Sequence, residues 1–378
     1  SAPGVWTLNQ AEWYISQGLW PKPPLPRQLW SWGQNNFGQL GLNNKTNYSS
    51  PKQVGALTNW LSVSCGVYHT VSIKTDGTLW SWGINDYGQL GLGNTTYYSS
   101  PKQVGALTTW SSVSCGNRHT VSIKTDGTLW SWGNNEYGQL GLGNITNYSS
   151  PKQVGALTTW SSVACGAYHT VSIKTDGTLW SWGINNWGQL GLGNTTYYSS
   201  PKQVGALTTW SSVSCGGVHT VSIKTDGTLW SWGFNSVGRL GLNNTTNYSS
   251  PKQVGALMTW SSVSCGYAYT ISIKTDGTLW SWGRNNNGQL GLGNTTNYSS
   301  PKQVGALTTW LSVSGGQYHT VSIKTDGTLW SWGNNRLGQL GLNNTTYYSS
   351  PKQVGALTSW TKLFKGCTTY FTLALKSS

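Results

Sequence analysis

The sequence predicts an all-β fold, a seven-bladed β-propeller, and three observations support this prediction. The segment LWSWG begins at residues 29, 79, 129, 179, 229, 279 and 329 of the 378, so seven copies recur at a period of 50. A period of this length, built from several short β segments, is typical of a propeller blade. The repeats contain no helical pattern, and each end of the chain carries half a repeat.

Each repeat predicts four short strands. Three of them alternate apolar and polar residues and carry the β-branched and Trp side chains typical of half-buried strands; in the first full repeat they are 62–65, 69–74 and 78–82. A hairpin turn of the Asp-Gly kind, Thr75 to Gly77, joins the second strand to the third. We expect a fourth strand at 52–57, directly after Pro51, which breaks the chain pattern.

The two ends of the chain predict that the ring closes. The first WSWG unit lacks the two strands that precede it elsewhere, and the C-terminus supplies them at 363–366 and 370–376. Pairing the two halves covers strand edges that an open array would expose. Residues 27–378 are therefore predicted to form one propeller. The loop from Gly366 to Thr372 is two residues longer than its counterpart from Gly66 to Thr70, so we expect it to bulge.

The repeat motif resembles that of a known family. It runs GQLGLG, a later Pro, V-S-C-G-x-x-H-T and D-G-T-L-W-S-W-G-x-N, from Leu29 to Lys376. This pattern is similar to the regulator of chromosome condensation repeat. The resemblance implies a seven-bladed propeller, in agreement with the seven copies. It implies less about function, because this fold hosts nucleotide exchange, chromatin binding and plain recognition.

Residues 1–26 differ from the repeats and predict a helix followed by a tether. Thr7 and Gln10 form the pattern of a capping box, residues 8–17 are predicted to form a three-turn helix, and Gly18 is predicted to end it. The four prolines that follow predict a stiff linker. The apolar side chains of this segment need a partner surface, either the propeller base or a larger assembly; they are Trp6, Trp13, Tyr14, Ile15 and Trp20.

The segment from Ala2 to Pro21 also resembles short stretches in structural proteins of tailed bacteriophage virions. The resemblance implies a place on the phage particle surface or tail. It also implies contact with other virion proteins through residues 1–26.

The charge distribution does not predict a nucleic-acid partner. Lys and Arg number 23 against 9 Asp and Glu, for a net charge of +14. Six lysines stand two residues before a turn Asp, where we expect the charges to cancel, and seven others of the Lys52 type form a ring of single, solvated charges. Nucleic-acid surfaces usually cluster basic residues with stacking aromatics, whereas the WSWG aromatics are predicted to be core. No apolar run is long enough for a membrane helix, so we expect no membrane insertion.

The repeated Cys and His residues are predicted to be structural. Gly315 and Lys365 replace the Cys in two repeats, and Tyr269 and Thr369 replace the His, which argues against a required thiol or a metal ligand. Equivalent cysteines point the same way around the ring, so we expect no disulfides. No set of nucleophile, base and orienting acid appears, and no phosphate or dinucleotide loop. We therefore expect no catalysis, no metal and no cofactor.

Variation among the repeats predicts a binding face. The repeats differ mainly at the pair after Cys-Gly and around the constant Asn after WSWG. Antiparallel strands place both loops on one face and the Thr-Asp-Gly turns on the other. An alternative explanation is that these loops simply tolerate substitution, in which case small polar residues should accumulate in them. The loops instead carry aromatic and charged residues, which suit glycan or protein ligands. The candidate ligand-binding residues are Phe37, Tyr68, Asp86, Tyr87, Arg118, Glu136, Tyr137, Tyr168, Trp187, Phe234, Tyr267, Arg284, Tyr318 and Arg336.

Two functions are consistent with these patterns. The first is a non-enzymatic binding protein, a phage virion or tail appendage that recognises a host-surface glycan or protein through the variable loops. The alternative is an intracellular regulator of the chromosome condensation type, acting in guanine-nucleotide exchange or chromatin binding. The resemblance argues against exchange, because the family's exchange factor uses a wedge inserted in a blade, and all six intervals here are 50 residues.

Overall fold

A computed structural model describes residues 26–364, 366 and 368–377, and this part of the chain is built of strands and loops. Its strands form seven antiparallel sheets of four strands each, the blades of a propeller. The predicted all-β, seven-bladed fold is confirmed. These residues include no helix that could cross a membrane. The predicted helix at 8–17 and the proposed tether residues lie outside the described part and stay predictions, as does the domain boundary at residue 27.

Each blade contains four strands, which we count from the ring axis outward. The first strands of neighbouring blades contact one another around the axis; they are β3 (Trp60–Cys65), β7 (Trp110–Cys115), β11 (Trp160–Cys165), β15 (Trp210–Cys215), β19 (Trp260–Cys265), β23 (Trp310–Gly315) and β27 (Trp360–Leu363). The second strands are β4 (His69–Lys74), β8 (His119–Lys124), β12 (His169–Lys174), β16 (His219–Lys224), β20 (Tyr269–Lys274), β24 (His319–Lys324) and β28 (Phe371–Ser377).

The outer half of each blade completes the sheet. The third strands carry the WSWG motif; they are β1 (Arg27–Gly33), β5 (Leu79–Gly83), β9 (Leu129–Gly133), β13 (Leu179–Gly183), β17 (Leu229–Gly233), β21 (Leu279–Gly283) and β25 (Leu329–Gly333). The outermost strands are β2 (Tyr48–Gln53), β6 (Tyr98–Gln103), β10 (Tyr148–Gln153), β14 (Tyr198–Gln203), β18 (Tyr248–Gln253), β22 (Tyr298–Gln303) and β26 (Tyr348–Gln353).

Tryptophans pack the core between neighbouring blades. Within one blade, Trp60 of the first strand meets Trp82 of the third strand edge to face, with ring centroids 6.0 Å apart, and the same contact recurs around the ring. Such pairs contribute about 0.5–1.5 kcal/mol beyond the burial of their area. Trp82 Nε1 also donates to the Gln39 carbonyl of the preceding blade at 2.9 Å. The WSWG motif of one strand therefore joins two blades.

The fourth strand lies earlier in the repeat than predicted. The prediction of 52–57 was wrong, because β2 spans Tyr48–Gln53 and contains Pro51. Proline lacks an N–H, but β2 is an outer edge strand, where that donor is not needed for pairing. The pairing with β1 shifts register between Ser31 and Gly33. Strand β4 has the predicted bounds, and β3, β5 and β28 differ from theirs by one or two residues. Strand β27 begins and ends three residues before the predicted 363–366.

The first and last strands close the ring. Strand β28 pairs with β1 along its whole length, from Arg27 opposite Ser377 to Gly33 opposite Phe371. The resulting sheet has the order β2-β1-β28-β27, so the two half repeats form one blade, as predicted. The predicted bulge in the loop from residue 366 stays a prediction, since Lys365 and Cys367 lie outside the described part.

The propeller has two unlike faces. The turns after the second strands and the loops after the outermost strands share one, where Trp110 N donates to Gly77 O at 3.1 Å; we call it the uniform face. The loops after the first and third strands share the other, where Ile84 N donates to Tyr68 O at 2.9 Å; we call it the variable face. Arg27 N donates to Thr58 O, so the chain enters the propeller at the uniform face.

Candidate binding face

The loops that follow the first strands form an inner rim on the variable face. Backbone hydrogen bonds of 2.9–3.3 Å link the loop of one blade to that of the next; they run from Asn117 N to Ala167 O, Ala167 N to Gly217 O, Gly217 N to Tyr267 O, Tyr267 N to Gly316 O and Gln317 N to Thr369 O. Because these bonds join separate blades, the rim holds its side chains at fixed positions around the axis.

The loops that follow the third strands form an outer rim on a constant framework. Asn85 Nδ2 donates to Asn94 O at 2.9 Å, and Asn85 Oδ1 accepts from Leu90 N at 2.9 Å. Gly88 has a φ of +77°, and a Cβ there would lie 2.3 Å from Ser149 Cα of the next blade, so only glycine fits. These contacts explain why Asn and Gly stay constant while the side chains between them vary.

Aromatic and arginine side chains meet across the blade boundaries. At three boundaries, the second residue after the constant Asn touches the inner rim of the next blade. Two of these pairs are aromatic, Phe37 with Tyr68 (ring centroids 4.9 Å apart) and Tyr137 with Tyr168 (5.4 Å). The third joins Tyr87 to Arg118, whose guanidinium lies 5.0 Å from the Tyr87 ring centroid. Arg118 Nη1 also donates to the Tyr87 hydroxyl at 3.0 Å. The two variable stretches thus make one surface.

The next boundaries continue this surface with different partners. Trp187 packs on Phe234 with ring centroids 4.3 Å apart. Further round the ring, the Arg284 guanidinium lies 5.4 Å from the Tyr318 centroid, and Tyr318 lies 5.9 Å from Tyr370. Paired aromatic and guanidinium groups therefore follow the variable face over most of its circumference.

The predicted site residues all lie on the variable face, but they differ in exposure. Asp86, Glu136 and Arg336 are exposed, and Trp187 is 39% exposed. The remaining candidates are half-buried against each other; they are Phe37, Tyr68, Tyr87, Arg118, Tyr137, Tyr168, Phe234, Tyr267, Arg284 and Tyr318. Each therefore keeps an edge for a ligand while packing fixes its orientation. Their role in binding stays a prediction.

Sequence reasoning missed one residue on this face, Arg239. Six repeats read GQL at this point and one reads GRL, which was the available signal. The Arg239 side chain is only 4% exposed, and its guanidinium lies 4.7 Å from the Phe234 centroid. Burial lowers the pKa of Arg239 to about 10; the nearby Tyr267 raises this pKa and Arg284 lowers it further. A buried cation thus lies beneath the aromatic surface.

The repeated histidines are buried and bonded between blades, which supports the predicted structural role. His69 Nε2 lies 3.2 Å from Thr120 Oγ1 of the next blade. The Thr120 hydroxyl donates its own hydrogen to Gln89 O at 2.9 Å, so it accepts from His69 Nε2–H. Burial lowers the pKa of His69 to about 3. The described residues contain no group of three or more His, Cys, Asp or Glu that could hold a metal ion.

The repeated cysteines line the inner strands as small buried side chains. Cys165 Sγ lies 3.4 Å from the Ser114 carbonyl of the preceding blade, and Cys265 Sγ lies 3.5 Å from Ser214 O. Burial raises the pKa of both thiols to about 12. Since the thiolate is the reactive form, these positions are chemically inert near neutral pH.

Both series of repeated lysines lie against aromatic rings. The Lys74 ammonium lies 3.6 Å from the Trp80 centroid and 5.1 Å from that of Trp60, in addition to the predicted influence of the turn Asp. Lys52 lies 5.5 Å from the Tyr48 centroid on the outermost strand. These charges are distributed around the uniform face and along the outermost strands, so they do not form a cluster on the variable face.

Comparisons with known proteins match the whole propeller. The family model described as the regulator of chromosome condensation (RCC1) repeat matches residues 28–73, 76–123, 126–173, 176–223, 226–273, 276–323 and 326–375. Human WBSCR16 has a similar structure, with a TM-score of 0.83 and 22% identity over 93% of this chain and 99% of that chain. Prp20p from Saccharomyces cerevisiae has a TM-score of 0.84 and 19% identity over 94% of this chain and 92% of its own. At such identities the two structures show the shared fold alone. A search of curated protein sequences finds no match.

Proposed function

Since the chain belongs to the family of regulator of chromosome condensation (RCC1) repeat proteins, we propose that it is a non-catalytic binding protein whose partner contacts the variable face. One observation carries this proposal. Aromatic and arginine side chains meet across successive blade boundaries on that face, whereas the opposite face repeats the same Thr-Asp-Gly turn in six of the seven blades. Tyr, Trp and Arg are the residues that most often dominate binding energy at protein interfaces.

The path of the chain supports the same orientation. Arg27 N donates to Thr58 O at the uniform face, so the described chain begins on the side opposite the variable face. The last described strand also ends there, where Ser377 N donates to Ser359 O at 2.9 Å. An attachment through residues 1–26, as the sequence predicts, leaves the variable face open to a ligand.

The biological setting has two candidates. Prp20p from Saccharomyces cerevisiae binds Gsp1p and histones, and this favours an intracellular regulator with a protein partner. The virion appendage that binds a host-surface glycan or protein rests on the segment before residue 26 alone. The comparisons therefore support the intracellular alternative better than the virion. Both settings use the same face of the propeller.

Replacing Tyr87, Tyr137 and Trp187 together with Ala should abolish binding through the variable face. Hot-spot aromatics contribute about 2 kcal/mol or more each, so we expect a loss of affinity of at least about 100-fold. The melting temperature should fall by only a few degrees, because these side chains are half-buried at the surface. Binding is measured against immobilised Gsp1p, core histones, a glycan array and intact bacterial cells.

A matched variant on the uniform face controls for the removal of apolar surface. Leu107, Leu157 and Leu207 are 48%, 49% and 49% exposed there, and their replacement with Ala should leave binding unchanged. A large loss of stability in the aromatic variant, with binding intact, would show that the aromatic residues serve packing and that the proposed function is wrong.

Deleting residues 1–26 distinguishes the two settings. The shortened chain keeps Arg27 and the full ring, so its melting temperature should stay within a few degrees of that of the intact chain. If the virion setting is correct, the full chain enters phage particles and the shortened chain does not, as measured by immunoblot of purified particles. Absence of the full chain from the particles contradicts the virion setting and leaves the intracellular one.

A further inference from the structure

One repeat gives up two hydrogen bonds to place an arginine on the variable face. In the six repeats with Gln, the Gln Oε1 accepts at 2.9 Å from the N–H two residues earlier, as from Tyr87 N to Gln89. Arginine has no acceptor, so Arg239 cannot make this bond to Val237 N. In the same six repeats the backbone carbonyl of the Gln accepts a hydrogen bond from a Trp Nε1 of the next blade. The corresponding donor for the Arg239 repeat, Trp282 Nε1, has no partner among the described residues.

The Arg239 guanidinium is buried without a counter-charge among the described residues. Arg239 is 4% exposed, and its Nε has no hydrogen-bond partner among the described residues. One flank is the Phe234 ring, on which Trp187 packs in turn. The ionisable groups that interact with Arg239 are Tyr267, Arg284 and the neutral His219, and none of them is a carboxylate. A buried cation in such surroundings costs folding free energy unless an anion compensates it.

A second arginine adjoins it across the blade boundary. Arg284 follows β21 of the next blade, and a Cβ on its neighbour Gly283 would lie 3.1 Å from Arg239 Cα, so the two backbones are in contact. Arg284 is half-buried, and its guanidinium is held 5.4 Å from the Tyr318 centroid. Arg239 therefore lies at the floor of the site and Arg284 nearer to solvent.

We propose that Arg239 and Arg284 form an oxyanion-binding site that receives a carboxylate or phosphate group of the variable-face ligand. The proposal rests on the proposed function of that face, and adds the chemistry of one ligand group. A guanidinium presents Nε–H and Nη–H in parallel, which matches two oxygens of a carboxylate or phosphate. The anion supplies the counter-charge that the described residues around Arg239 lack. Low water access strengthens the interaction.

The test measures anion binding to the whole chain by NMR of the arginine Nε–Hε groups. Sodium acetate and sodium phosphate are titrated separately, with sodium chloride holding the ionic strength constant. We expect saturable shifts of the Arg239 and Arg284 signals with one or both anions. Stronger binding of acetate indicates an acidic side chain or sugar acid, and stronger binding of phosphate indicates a phosphorylated ligand. Shifts that stay linear with concentration for both anions overturn the proposal.

The variant Arg239→Gln uses the residue that the other six repeats carry. It restores an acceptor for Val237 N, so it should fold and melt at or above the wild-type temperature. We expect anion affinity, followed on the Arg284 signal, to fall at least tenfold. The control, Lys252→Gln, removes a positive charge from the exposed outer strand of the same blade and should keep the wild-type affinity.

The outcomes separate this site from the proposed function. Unchanged anion affinity in Arg239→Gln overturns the site, even if the aromatic triple variant abolishes partner binding. Anion affinity lost in Arg239→Gln, together with partner binding that the aromatic variant leaves intact, supports the site and contradicts the proposed function of the face.

Discussion

Lowering the pH from 7 to 5 is expected to unfold the propeller, because its five histidines are buried in the neutral form. Burial lowers the pKa of four of them to about 3. Burial and the nearby Arg239 lower the pKa of His219 well below its usual value. The unfolded chain has a histidine pKa near 6.5. The stabilisation is therefore complete above pH 6.5 and is lost as the pH falls below it.

The expected loss is comparable to the stability of a whole domain. Each histidine costs about 1.4 kcal/mol per pH unit below 6.5, so five cost about 10 kcal/mol at pH 5. Folded proteins are stable by about 5–15 kcal/mol. The turn aspartates act in another window, since hydrogen bonds from Thr128 lower the pKa of Asp126 below 3.8, and its contribution is lost only as the pH falls below that value.

The structure gives the reason that these rings resist protonation. His69 Nε2–H is used by Thr120, so a second proton must go to Nδ1, which has no hydrogen-bond partner among the described residues. A Cβ on Gly66 would lie 2.4 Å from that nitrogen, so the backbone closes over it. The new charge would be buried without an acceptor.

The measurement is the melting temperature from pH 8 to pH 4, with proton uptake on unfolding at pH 5.5. The control is the double variant His119→Tyr and His169→Tyr, which uses the residue found at Tyr269, whose hydroxyl donates to His319 O. We expect the variant to take up about two fewer protons on unfolding. A melting temperature that stays constant between pH 7 and pH 5 would contradict the prediction.

Deleting residues 360–378 is expected to abolish the cooperative fold. The deletion removes β27 and β28, which complete the closing blade beside β1 and β2. It also removes Phe371, Leu373 and Leu375, which are fully buried in a core that the closing blade shares with its two neighbours. Strand edges that are normally paired then face solvent and favour aggregation. We expect a broad thermal transition or aggregates in size-exclusion chromatography.

A circular permutant controls for the loss of the chain end. Arg27 and Ser377 are paired, so a short linker can join them at the uniform face. New ends in the exposed loop near Leu157 cut between blades and leave each blade continuous. This permutant should fold as a monomer with a sharp transition. A monomeric, cooperatively melting form of the truncated chain would show that the ring does not depend on this closure.

The sequence alone determined the number of blades, their closure and the face that varies. The number of blades and the variable face depend on pairing between strands that are close in the chain, and such pairing leaves a period of 50 residues and constant turn residues such as Asp76-Gly77. The half repeats at the two ends carry the same information, because each lacks the strands that the other supplies. Tyr269 and Gly315 argue, from the sequence alone, against a required metal ligand or thiol at the His and Cys positions.

Only the tertiary structure decided which side chains meet across the blades. Tyr87 contacts Arg118, and Trp187 contacts Phe234, through blade packing that no strand pattern encodes. The same packing buries Arg239, a position that reads as an ordinary surface base in the sequence. Pro51 lies within a strand because the edge of the blade needs no donor there. Periodicity determines which residues share a strand, whereas the close packing of blades determines burial and charge environment, and these define the candidate site.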